Sequence, residues 1–147
     1  MRKELYKAII ECLSAIDEIK HIDLWNRNVE FVEDDSPFPM PAVFIEFTPI
    51  NWQRLTGREL EWKGTGNVNL HIVTEWAGSA AAGSDELETN LAALDLADRM
   101  HDMLEGMTGI HYRDMGLIQT QTNHNHEQIY ENIEVYKVTY KRYLNSD

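Results

Sequence analysis

Cysteine is nearly missing from this sequence: Cys12 is the single thiol, so no internal disulfide can form and nothing calls for an oxidising compartment. Long apolar runs are missing too. No stretch approaches the ~20 residues that a membrane-spanning helix needs, and no membrane association is expected. The opening Met1-Arg2-Lys3-Glu4-Leu5 passes straight into an amphipathic pattern, without the apolar stretch and small-residue cleavage site of a signal peptide. A cytosolic protein is the expectation. Basic residues are scarce, 13 against 25 acidic ones, which leaves a net charge of −12. Tight nucleic-acid binding works by neutralising phosphates with clustered Lys and Arg, so neither DNA nor RNA is expected as a tight ligand. The charge favours solubility; its sharper meaning is a surface beside which DNA can pass without sticking.

Catalytic signatures are also lacking. The glycines at 57, 64, 66, 78 and 83 match no phosphate-binding fingerprint, and no serine sits in a Gly-x-Ser-x-Gly elbow. Cys12 has no neighbour that would activate a thiolate and reads as a small, half-buried helical residue. Carboxylate pairs such as Glu59 with Glu61, or Asp95 with Asp98, carry little specificity among so many acids. His124-Asn125-His126-Glu127 alone invites a metal hypothesis, with His111 as a further ligand. Zinc sites need three or four convergent ligands, and this pair falls in a predicted hairpin tip, so solvated histidines are the reading and no metal is expected. His101 reads as a satisfied histidine at a core edge. No enzyme activity and no cofactor are expected.

What is present is a core. The hydrophobic fraction of 43% and the length of 147 residues suit a single domain over 1–147. Leu5, Ile9, Ile10, Leu13, Ile16 and Ile19 recur at helical spacing, which predicts a helix over 2–20. Pro37-Phe38-Pro39-Met40-Pro41 must run extended and leads into the β-rich Ala42-Val43-Phe44-Ile45-Glu46-Phe47. The plainest strand is Asn67 to Trp76: Val68, Leu70, Ile72, Thr74 and Trp76 on a buried face, Asn67, Asn69, His71, Val73 and Glu75 on a largely wet one. A second helix follows Ser84 and Asp85, with Leu91 and Leu94 expected to pack on Leu70 and Ile72. Strands over 117–122 and 133–143 close the chain. The fold class is α+β, a mostly antiparallel sheet with two helices packed on one face.

Two aromatic-rich segments hold more apolar surface than one small sheet obviously buries. Trp52 and Trp62 flank the Thr56-Gly57 turn, which suits either a cross-strand pair or a projecting hairpin that anchors a neighbouring subunit. With Phe38 and Met40 of the proline-rich segment, they are the candidate subunit-interface residues.

The pattern from about residue 2 to 143 resembles the tail-terminator, or tail-completion, proteins of long-tailed bacteriophages and prophages. The resemblance is carried by the N-terminal helix, the Pro37–Pro41 lead into Ala42–Phe47, and Asn69-Leu70-His71-Ile72-Val73 before the acidic leucine helix Leu91–Leu104. That helix, with Asp95-Leu96-Ala97-Asp98, precedes a final strand pair. The resemblance implies a non-enzymatic homo-oligomer, commonly a hexameric ring, that caps the tail tube and meets the head-side connector. It also implies a place in the virion, and in the host cytoplasm during assembly. Two alternatives remain: a small hydrolase or ligand-binding domain using His71, His111, His124 or His126, and another neck or head–tail joining protein.

Overall fold

Leu5, Ile9 and Leu13 recur every fourth residue along α1 (Arg2–Leu13), and all three are fully buried. The computed structural model describes residues 1–26, 38–55, 61–76, 78–123 and 129–143. After α1 come β1 (His21–Leu24), β2 (Ala42–Phe47), β3 (Asn51–Arg54), β4 (Glu61–Glu75), α2 (Leu87–Leu104), β5 (Tyr112–Asn123) and β6 (Ile129–Tyr143). The first helix ends earlier than its apolar rhythm suggests. The Ser14 hydroxyl donates to the Ile10 carbonyl at 2.6 Å, and Ile16 and Ile19 continue the rhythm beyond the helix, their N–H groups donating to the Leu13 and Ile16 carbonyls.

The strands form one sheet in the order β1-β2-β4-β6-β5, with β3 paired to β4 beyond the end of β2. Every pairing is antiparallel except β1 with β2. β4 and β6 pair along their entire lengths, from Glu61 opposite Tyr143 to Glu75 opposite Ile129. Side chains alternate across these strands, so each face of the sheet carries its own set. Val43, Ile45, Val68, Leu70, Ile72, Tyr136 and Tyr140 face the helices and build the main core with α1 and α2. The α+β arrangement with both helices on one face is present as expected.

α2 turns a different side to that core than Leu91 and Leu94 suggested. Leu96, Met100 and Leu104 are buried, together with Ala93 and Ala97, whereas Leu91 and Leu94 are 36% and 42% exposed. The helix has apolar residues around most of its circumference, and the two alanines let its axis approach the sheet. The opposite face of the sheet is not wet at its centre. Phe38, Ala42, Phe44, Val73 and Ile129 form a second buried cluster there, flanked by Trp25 and Met40.

Candidate functional site

The second face also buries polar groups. Glu46 of β2, His71 of β4 and Glu131 of β6 share the strand parity of Phe44 and Val73, so the register gathers them at the sheet's centre. His71 Nδ1 lies 2.8 Å from Glu131 Oε1, and Nε2 lies 3.0 Å from Glu46 Oε1. The amides of Asn69 and Asn123 donate to Glu46 and Glu131 at 2.9 and 2.7 Å. Trp25 stacks on the imidazole, with ring centroids 3.7 Å apart and planes 3° from parallel. Glu131 is 1% exposed and His71 5%. Both ring nitrogens are occupied and one ring face is covered, so the arrangement staples three strands and leaves no nitrogen for a substrate. The two carboxylates take different nitrogens and do not converge on a common point. Among the described residues no group of three or more His, Cys, Asp or Glu side chains could hold a metal ion. His124, His126 and Glu127 lie outside the described residues.

His111 has a different role. Its Nδ1 lies 2.9 Å from Glu4 Oε2, and the backbone N–H groups of Ile110 and His111 donate to Glu4 Oε1 at 2.7 and 3.3 Å. Burial pushes the Glu4 carboxyl up, but the hydrogen bonds from the His111 side chain and from both backbone groups outweigh it and hold the group below its ordinary value. The contact ties the first turn of α1 to the segment entering β5. Cys12 donates to the Met103 carbonyl at 3.4 Å, and burial, with the Glu11 charge behind it, raises its thiol. His101 is half-buried against Tyr136, ring centroids 6.1 Å apart.

The four interface candidates fall in two places. Phe38, 8% exposed, packs edge-on to Phe44 in the second cluster, and Met40 is half-buried beside it. Met40 also lines a groove of about 370 Å³ between α2 and the sheet, bordered by Pro41, Leu96 and the Arg99–Glu18 ion pair at 3.0 Å. Trp52 and Trp62 are half-buried on the β3–β4 arm, but they do not face each other in register. Trp52 opposes Gly64 and Trp62 opposes Arg54. The Trp52 ring lies across Gly64 so closely that a Cβ there would meet Cζ3 at 2.7 Å. Trp76 is half-buried, stacked on Tyr130 with centroids 5.7 Å apart rather than set in the core.

The structure gathers charge that looks scattered along the chain. Arg2, Lys3, His111, Lys141 and Arg142 line an open groove at one end of the sheet. Arg2 and Lys3 also border an apolar patch formed by Tyr6, Leu24 and Phe47. Only the pairing of distant strands makes this patch, so no local run of residues announces it.

No helix among the described residues is long and apolar enough to cross a membrane. No protein-family profile and no curated protein matches the chain. Among solved structures, a chain in the virion of a native gene transfer agent (GTA) particle is similar, with a TM-score of 0.57 and 12% identity. The match covers 93% of this chain and 94% of that one. At such identity the likeness establishes a common fold, and it runs through nearly the full length of both chains.

Proposed function

We propose that this protein is a structural component of a phage-like particle, and within that class a ring-forming tail terminator or tail-completion protein at the head–tail interface. The observation that carries the reading is the fold held in common with a virion-particle chain over 93% of this one. The enclosed His71 supports a non-enzymatic role, since the most elaborate polar cluster among the described residues is built as a staple. The partners in this reading are further copies of the chain, as a hexamer, with the tail tube on one side and the head-side connector on the other. DNA passes through the ring without tight binding, and the place of action is the virion, reached from the host cytoplasm during assembly. Met40, Trp52 and Trp62 contribute to subunit contacts, with Phe38 supporting Met40 from beneath.

The test is assembly. Purified protein is expected to form closed rings, seen by sedimentation velocity and negative-stain imaging, at high concentration or on purified tail tubes. Tubes grown with the protein should stop at a fixed length. Failure to form rings under either condition would sink the terminator reading. Rings that bind connectors but ignore tubes would instead favour a neck protein.

A further inference from the structure

The chain's acidity is strongly concentrated. Seven acids and one arginine lie between Asp85 and Glu105, so that segment carries half of the −12 total. Most of it is α2, whose outward stripe runs through Leu91, Asp95, Asp98 and Asp102, opposite the buried Ala93, Leu96 and Met100. Leu94 and Asp98 border a groove shared with Leu117 and Thr120 of β5, one edge strand of the sheet. This face is acidic with exposed leucines: Leu91 is 36% exposed and Leu94 42%.

A second surface, built by the start of α1 with β1 and β2, has a basic border. Leu24 of β1 is 49% exposed and forms the apolar patch with Tyr6 and Phe47, bordered by Arg2 and Lys3. Those two basic residues continue into the groove with Lys141 and Arg142, whose described lining holds no carboxylate.

We propose that these two faces dock on each other between successive copies of the chain: the α2 face of one protomer seats on the Arg2–Lys3–Leu24 face of the next. The proposal rests on the ring-forming reading above and names its contact surfaces. Each face pairs apolar groups with an excess of one charge, acidic on α2 despite Arg99 and basic along Arg2, Lys3, Lys141 and Arg142 despite Asp23 beside Leu24, and such opposite excesses favour register and suppress wrong pairings. The two faces are different surfaces, one on α2 and the other on the start of α1 with β1 and β2, so the contact is head-to-tail. A head-to-tail contact repeated about an axis closes into a ring, whereas a self-complementary patch stops at a dimer. A polyphosphate strand would use the cations but leave Leu24, Phe47 and Tyr6 unmatched. A second copy of the chain matches both.

The experiment uses the full chain and two variants, Arg2→Glu with Lys3→Glu, and Asp95→Lys with Asp98→Lys. All four positions are exposed, and far-UV circular dichroism checks that each variant folds. Under conditions where the wild type forms rings, each variant alone is expected to associate about a hundredfold more weakly or worse, because like charges then meet across the contact. Mixing the two variants should restore rings, since every alternating contact again joins opposite charges. If both variants assemble like the wild type, or if the mixture stays monomeric, the surface assignment is wrong while the ring reading stands. If wild-type protein forms no ring, with or without tail tubes, both fall. Retention of duplex DNA by the wild type at about 0.15 M salt, lost in the Arg2/Lys3 variant while assembly is unchanged, would reassign the groove to a polyanion.

Discussion

His71 and Glu131 meet at 2.8 Å in the buried centre of the sheet, although 60 residues separate them in the chain. The contact is diagonal, because the register partner of His71 is Ile133. Removing the imidazole leaves a nearly inaccessible carboxylate without that donor, and it uncovers Trp25. His71→Ala is therefore expected to lower stability by at least about 2 kcal/mol in urea unfolding. Replacing His71 and Glu131 together by leucine should cost less than the two single losses summed, because each single change leaves the other partner buried without it. A loss under about 0.5 kcal/mol for His71→Ala would place it among ordinary surface changes.

Glu4 supplies a pH dependence. Its folded value is lowered, so its contribution is fully present above the unfolded value and fades as pH falls through the folded one. Glu4→Gln should reduce the melting temperature at about pH 7, and by progressively less at acid pH as the wild-type carboxyl takes up its own proton. Equal destabilisation at neutral and acid pH would show that shape rather than charge holds this contact.

The orientation of α2 predicts an asymmetry between its two sides. Met100→Ala removes a fully buried side chain and should cost about 2–5 kcal/mol. Leu91→Ala, on the outward stripe, should change the stability of the monomer by no more than about 0.5 kcal/mol. The reverse ranking in chemical denaturation would mean that the helix is rotated.

Gly64 is expected to tolerate no side chain while Trp52 lies over it. An added Cβ would sit 2.7 Å from Trp52 Cζ3 and 2.8 Å from Ile50 Cγ2. Gly64→Ala should destabilise by about 1–3 kcal/mol, and adding Trp52→Leu should recover part of that loss. Thermal unfolding of the single and double variants checks it; a neutral single variant would mean that the Trp52 ring moves aside freely.

These residues also show what could be read from sequence. The alternation of Val68, Leu70 and Ile72 signals a strand and its helix-facing side, because polar and apolar residues change places at every step. Leu91 and Leu94 misled because α2 is apolar on more than one side; the choice was made by Ala93 and Ala97, which mark close approach rather than large burial. His71 falls on the polar side of its strand, as expected. Its partners come from β2 and β6, and a carboxylate in so acidic a chain gives no sign that it will be buried. The cover provided by Phe38 and Trp25 depends in the same way on the register of distant strands.

The full-length pairing of β4 with β6 has a kinetic consequence. The two longest strands lie side by side, yet α2 and β5 are inserted between them in the chain, so Glu75 must wait for Ile129 and Glu61 for Tyr143. The β5–β6 hairpin can close early, because its ends are near in sequence. β4 can join only after a long loop has been drawn in, and that loop's entropy is lost before any ladder bond repays it. Refolding followed by stopped-flow tryptophan fluorescence should accordingly take milliseconds to seconds rather than microseconds. During that interval one side of β6 is an open template, on which β4 of a neighbouring chain competes with the chain's own once the protein is concentrated.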